Sequence, residues 1–315
     1  MRLCAVSVDL DEIPNYFAIH GLPEPRGPER SLVYEVALDR LGELATELSI
    51  PLTLFVIGSD LSRPENAAKI AAAHARGFEI ANHTLDHRYD LVRLQPPEMR
   101  RQIEGGMRAI EDATGEQPVG FRAPGYTITD EVLELLAELG VLYDSSVFPC
   151  PPYWAAKTAA IALIALRGRR SRSIVDTPAV LVSPTRPYRV GRPYWRRGDG
   201  LLELPVQVTR GMRLPFIGTY VAMGGPTFAR VMARMCIGEP LVNLELHGID
   251  VLDAADGLEA LRPHQHDVRV RTSRKLASLK AAVGELRKAG YAFTTLRQAA
   301  QRLAAVDPGR TSGLS

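Results

Sequence analysis

Short apolar runs that stop abruptly at polar side chains, separated by stretches of helical periodicity, constrain this chain more than any other feature. Leu3-Cys4-Ala5-Val6-Ser7-Val8 stops at Asp9-Leu10-Asp11, residues 52–57 at Gly58-Ser59, and residues 78–81 run into Asn82-His83. Val119-Gly120-Phe121 leads into Arg122, and Val141-Leu142-Tyr143 into Asp144. Between them, residues 31–48, 60–76, 96–114 and 130–139 read as helices, with Gly77, Gly115 and Gly140 where C-terminal stops belong. Strand and helix in alternation, with short links, predict a parallel sheet, open or closed into a barrel. Reactive groups in such sheets gather at the carboxyl ends of the strands, which is where these polar residues fall.

The rhythm resumes late in the chain. Residues 201–206 and 240–246 read as strands, the second ending at His247-Gly248, and 226–236 as a helix. An amphipathic helix over 269–289, a strand over 291–294 and a helix over 296–305 close the pattern. His264 and His266 fall in a polar segment and are expected to be exposed and idle. With 315 residues, 46% of them hydrophobic, one large core suffices. A single domain is expected over 1–305, with a disordered tail over 306–315.

The middle, about 149–200, reads as an insertion. Residues 155–166 are apolar except for Lys157 and Thr158, and 167–197 carry nine arginines against one acid, Asp176. A helical hairpin docked on the barrel with a solvated basic edge is one reading. The other is a surface element over 153–197 in peripheral contact with a membrane, or with an anionic group of a substrate. At ~12 residues the apolar part is too short to span a bilayer. A formal charge of +2 gives no footprint for nucleic acid, and none is expected as a partner. Cys4, Cys150 and Cys236 are far apart and form no disulfide or metal motif, which suits a reducing compartment. The chain starts Met1-Arg2 and enters a strand at once, without a secretory pattern. A cytoplasmic protein is expected, associated with the cytoplasmic face of a membrane if the insertion makes that contact.

The chemistry-bearing residues form a set. His83 and His87 are four apart; on a helix they would share one face, and two imidazoles so placed can bind one divalent metal. The intervening positions hold no Glu, so base and third ligand must come from elsewhere. Asp9 and Asp11 are two apart, so on an extended chain both can face one pocket while Leu10 turns into the packing. One carboxylate and two histidines make three protein ligands with room for water, whose pKa the metal lowers. A second carboxylate can take the proton, an arginine can hold that base, and a separate histidine can protonate a leaving amine. That is the parts list of a metal-assisted amide hydrolase.

Five pieces in order then carry a family resemblance: Ser7-Val8-Asp9-Leu10-Asp11, His83-Thr84-Leu85-Asp86-His87, Phe121-Arg122-Ala123-Pro124-Gly125-Tyr126, Tyr143-Asp144-Ser145-Ser146 and Leu244-Glu245-Leu246-His247-Gly248. The chain resembles a polysaccharide deacetylase of the NodB-homology, carbohydrate esterase family 4 type. The resemblance implies a distorted (β/α)7 barrel, here with the inserted apolar and basic segment. It also implies a divalent metal, usually Zn2+, and hydrolysis of an N-acetyl or other small N-acyl group from an amino sugar. Carried over by motif, Asp11, His83 and His87 are the metal ligands, Asp9 the base, Arg122 its orienting partner and His247 the acid. The family's two adjacent aspartates are here split by Leu10, so base and ligand could be exchanged. Gly125 intervenes before Tyr126, so either could supply the oxyanion N–H, and Asp144 is expected beside substrate, tuning the acid.

A cytoplasmic member should meet a precursor, so a nucleotide- or lipid-linked amino sugar bearing phosphate is the expected substrate. Two rivals share the motifs: a deformylase or allantoinase-like C–N hydrolase on the same barrel, and a barrel that has lost catalysis and binds sugar. A nucleotide-binding dehydrogenase fits poorly, because no Gly-rich loop follows the first strand.

Overall fold

The computed structural model describes residues 2–306. The strands are β1 (Leu3–Asp9), β2 (Leu52–Val56), β3 (Glu79–Asn82), β4 (Gly120–Phe121), β5 (Tyr143–Asp144), β6 (Tyr188–Val190), β7 (Arg197–Glu203), β8 (Leu241–His247) and β9 (Ala292–Phe293). The helices are α1 (Ile13–Ile19), α2 (Leu38–Leu48), α3 (Pro64–Ala75), α4 (Pro96–Thr114), α5 (Asp130–Glu138), α6 (Pro151–Leu166), α7 (Gly218–Cys236), α8 (Thr272–Lys288) and α9 (Leu296–Val306).

The sheet runs β6-β7-β5-β4-β3-β2-β1-β8, with β9 added to β1. Every pairing from β7 round to β8 is parallel, and β6 joins β7 antiparallel. The parallel strands curl until the outer two approach each other. There the chain beyond β7 spans the gap: the Gln207 N–H donates to the Asn243 carbonyl at 3.2 Å, and Ile217 bridges Glu245. The architecture is a distorted barrel with seven parallel strands and the residues between β5 and β7 carried on its flank.

Burial explains why these strands read as unbroken apolar runs: β1 and β2 are buried at every position, as strands covered on both faces must be. The apolar stripe of α2, with Leu38, Leu41, Leu44 and Ala45 buried, packs outside them. The amino end of the barrel is plugged. Leu296, Ala299 and Ala300 of α9 pack on Leu3, Ala5 and Phe55. The N–H groups of Leu296 and Arg297, otherwise orphaned at the start of that helix, donate to Thr53 Oγ1 (2.9 Å) and Glu79 Oε2 (2.8 Å).

Several local expectations are corrected. The segment His83–His87 is a turn and not a helix, with Thr84 and His87 both at positive φ (70° and 51°). The helix expected from residue 31 begins with a π-helical turn over Val33–Ala37, where the buried carboxylate of Glu12 accepts the N–H groups of Val33 and Tyr34. The insertion is no helical hairpin: α6 is followed by irregular chain and the β6–β7 pair, and β7 already begins at Arg197, inside the expected insertion. The helix expected at 226–236 starts at Gly218 and bends at Gly225-Pro226, where Gly225 takes φ 83° and proline lacks the N–H that would continue the helix. The tail expected from 306 lies outside the described residues, apart from Val306, which ends α9.

Candidate metal centre and active site

The carboxyl ends of β1, β3, β4 and β8 meet over a polar floor. Arg122, just past β4, is fully buried and threads the barrel beneath the site. Its guanidinium donates to Asp9 Oδ1 (2.6 Å), Ser7 Oγ (2.9 Å), Ser145 Oγ (2.9 Å) and the Ser145 carbonyl (2.9 Å). It also lies over the Phe55 ring, 4.0 Å from the centroid. Asn243 ties this floor to β8, donating to Ser145 Oγ and accepting from Ser7 Oγ, each at 3.0 Å. Asp9 is thereby held in one orientation, opposite His247 in the β1–β8 register.

Leu10 packs into the core, and Asp9 and Asp11 are both buried beside His83. Asp11 Oδ1 lies 3.3 Å from His83 Nε2 and 3.2 Å from His87 Nε2, and the two Nε2 atoms are 3.2 Å apart. The turn that brings the imidazoles together is built by distant residues. Asn82 Oδ1 accepts the Thr84 N–H, Thr84 Oγ1 accepts the His87 N–H, and the Leu85 N–H donates to the Gln102 carbonyl of α4. Gly106 of α4 is required there, since a Cβ would stand 2.2 Å from Asn82 Oδ1 and 2.9 Å from the Thr84 backbone.

These three side chains fit a cation. His83 Nδ1 lies 2.7 Å from the Arg122 carbonyl, which can only accept, so the proton sits on Nδ1 and the Nε2 lone pair faces Asp11 and His87. Asp11 Oδ1 is buried without a hydrogen-bond donor. Burial opposes its charge, yet the imidazoles of His87 and His83 hold the carboxyl well below the usual range. Asp11 Oδ1, the His83 Nε2 lone pair and His87 Nε2, with edges of 3.2–3.3 Å, are an arrangement that a divalent ion completes. At ligand distances of ~2.0–2.1 Å a tetrahedral site has edges of about 3.3 Å. A second cluster, Asp9, Glu245 and His247, is less suited, because Arg122 already neutralises Asp9 and His247 faces Glu245.

His247 ends β8 and lines a cavity of about 420 Å³, with Tyr16, Tyr126, Tyr153 and Lys157 around it. Its Nδ1 is 2.9 Å from Oε1 of Glu245, a fully buried carboxylate two residues back on the same strand. Burial works against a charged imidazole here, but Glu245 outweighs it and raises the His247 pKa well above its ordinary value. The turn after His247 is held by Asp250, whose Oδ2 accepts the His247 N–H at 2.9 Å.

Some sequence expectations do not fit this geometry. Asp144 is fully buried, bonded to Ser146 Oγ (2.7 Å) and facing Glu203, so it contacts neither a substrate in the cavity nor His247. The Tyr126 N–H donates to the Ala123 carbonyl (3.1 Å) and is not free for an oxyanion; its ring lines the cavity, with a buried, unpaired hydroxyl. Gly125 takes φ 65°, and its carbonyl accepts from Lys157 Nζ at 2.8 Å. His266 is exposed as expected and His264 is half-buried; both line the same cavity as His247. Sequence reasoning missed Glu245, Asp250 and Tyr89, whose ring stacks edge-on to His87 at 4.7 Å. Glu245 was accessible to the alternation argument that paired Asp9 with Asp11.

The strand tips of this seven-stranded barrel bring together two imidazoles, a carboxylate without a hydrogen-bond donor and an arginine-held aspartate, which makes it a barrel with a candidate metal centre. The family model for polysaccharide deacetylase matches residues 33–143. A peptidoglycan deacetylase-like protein of Gibberella zeae is 30% identical over 155 residues, 45% of this chain and 44% of that protein. A chitooligosaccharide deacetylase of Bradyrhizobium is 35% identical over 101 residues, 31% of this chain and 44% of that protein. The match thus spans less than half the length of these relatives. The crystal structure of a candidate polysaccharide deacetylase from Mycobacterium smegmatis superposes over 97% of this chain and 92% of its own, with a TM-score of 0.61 at 21% identity. Over residues 33–143 the chain is similar to the polysaccharide deacetylase family, and its whole fold is similar to that of the Mycobacterium smegmatis structure.

Proposed function

We propose that the protein is a metal-dependent hydrolase that removes an N-acetyl or similar small N-acyl group from an amino sugar. The observation that carries this reading is the Asp11–His83–His87 triangle, with Asp9 3.9 Å from His83 Nε2 and itself clustered with His247 and Glu245. The triangle would hold a divalent ion, zinc by ligand type, and such an ion supplies Lewis acidity and a water acidified toward neutrality. Asp9, fixed by Arg122, takes the proton from the attacking water. His247, kept protonated by Glu245, delivers a proton to the leaving amine. The apolar and aromatic wall of Tyr16, Tyr126 and Tyr153 excludes bulk water and presents flat faces to a sugar ring.

Cys4, Cys150 and Cys236 are buried free thiols, which suits a reducing compartment and a cytoplasmic enzyme. Assay of a panel of N-acetylated, N-formylated and ureido substrates tests the reaction class. Acetate release from an amino sugar, lost with chelator and restored by zinc, is expected. Formate or urea release alone, or turnover indifferent to chelator, contradicts it.

The acid role gives a separate expectation. Replacing Glu245→Gln removes the charge that raises the His247 pKa, so that pKa falls. An acid must be protonated to act, so activity is lost as pH rises through its pKa. The alkaline limb of the kcat profile therefore moves to lower pH in this variant, while KM changes little. An unmoved limb would exclude His247 as the acid.

A further inference from the structure

Helix α6 differs from every other long helix of the chain in having no buried residue. Its first two turns are fastened to the barrel. Trp154 Nε1 donates to the Asp176 carbonyl (2.9 Å), Lys157 Nζ donates to the Gly125 carbonyl (2.8 Å), and Tyr153 stacks on Phe148 with ring centroids 4.8 Å apart. Beyond Thr158 the sequence is Ala-Ala-Ile-Ala-Leu-Ile-Ala-Leu, apolar on all sides, and it stands in solvent with Leu163 47% and Leu166 84% exposed. A helix resting on a water-covered protein surface shows one apolar stripe and one polar face. This one has no polar face beyond Thr158, which calls for an apolar surrounding that the described residues do not provide.

The helix runs directly into Arg167, Arg169, Arg170 and Arg172, all exposed and none of them in an ion pair among the described residues. No acid intervenes before Asp176. The arginine segment is pinned beside the cavity mouth: the Arg172 N–H donates to the Ala18 carbonyl (3.3 Å), and a Cβ on Gly21 would meet Arg169 Cβ at 3.0 Å. At the end of α1, His20 stacks 5.8 Å from His264, which lines the cavity together with Tyr153, Ala156, Lys157 and Ala160 of α6. Apolar helix, cationic cluster and cavity mouth therefore share one face of the molecule.

We propose that α6 and the four arginines after it seat the protein on the anionic surface of a lipid bilayer, so that the cavity receives the headgroup of an anionic glycolipid. This rests on the amide-hydrolase reading only for what happens to the headgroup; the docking stands on the helix and its charge. The helix lies in the interface plane, with Leu163 and Leu166 among the upper acyl chains and the guanidinium groups at the phosphates. No helix among the described residues is long and apolar enough to cross a membrane, so the contact is peripheral.

Co-sedimentation of the full chain with phosphatidylcholine vesicles, with and without phosphatidylglycerol, tests the proposal. Strong binding to the anionic vesicles and little to the neutral ones is expected. The double variant Leu163→Glu/Leu166→Glu should lose about tenfold in binding through lost apolar insertion. Replacing the four arginines by Gln should abolish the dependence on phosphatidylglycerol. Both variants should melt like the parent and turn over a soluble N-acetylated sugar equally well, since neither touches the cavity floor. Absence of wild-type binding, or binding indifferent to the two leucine changes, overturns the proposal. So does a dimer that the leucine variant converts to monomer without any vesicle binding, since a second copy would then cover α6. Vesicle binding by a chain that hydrolyses no amide supports the docking and counts only against the reaction.

Discussion

Replacing His83 by alanine is expected to lower kcat/KM by about a thousandfold, the scale of the several kcal/mol that a bound metal contributes to a hydrolytic transition state. The same change should weaken binding of a divalent ion beyond detection. His83 is more than one of three donors. Its Nδ1–H is spoken for by the Arg122 carbonyl, so its Nε2 is the only ligand atom of the triangle whose lone pair is fixed by a buried hydrogen bond. Adding excess zinc should not restore the activity of His83→Ala. His87 has no hydrogen-bond partner at Nδ1 and stacks on Tyr89, so His87→Ala leaves a pair of ligands that excess zinc rescues in part. Titration of both variants with zinc, followed by kinetics, separates the two. Equal rescue would mean that the Arg122 carbonyl does not organise the centre.

Arg122→Met should have the largest effect on stability. Arg122 and Asp9 form a fully buried pair at 2.6 Å, and removing one partner of such a pair costs roughly 3–5 kcal/mol because the other is left uncompensated. The loss also strips donors from Ser7 and from the Ser145 carbonyl, so the floor beneath the site loosens along with the charge. Urea unfolding should show a lower midpoint with an unchanged slope. Arg122→Lys keeps the charge but cannot reach Asp9, Ser7 and Ser145 at once, so its stability should fall between those of parent and Met variant while activity stays low. If Arg122→Met unfolded like the parent, the guanidinium would not be what holds Asp9.

Much of this site is readable from residue order because strand alternation is a local rule. Asp9 and Asp11 lie on one side of β1 and just beyond it, with Leu10 in the core, as period two requires. The same rule, applied to β8, would have placed Glu245 under His247. What period and propensity could not reach was contact between distant segments. The turn over 83–87 depends on Asn82, Gln102 and Gly106 acting together, and nothing within those five residues distinguishes it from a helix start. Asp144 was misread because β5 is only two residues long, and its neighbours Ser146 and Glu203 claim the carboxylate before it can face the cavity. His264 reached the cavity through the stacking of His20, a contact across more than two hundred residues of chain.

The account depends on one divalent ion held between Asp11, His83 and His87, and metal analysis with anomalous diffraction from a crystal of the zinc-loaded protein tests this directly. One ion per chain is expected, with its anomalous peak within bonding distance of Asp11 Oδ1 and both Nε2 atoms and absent from Asp11→Ala. A peak among Asp9, Glu245 and His247, or a metal-free chain with undiminished turnover, would contradict it.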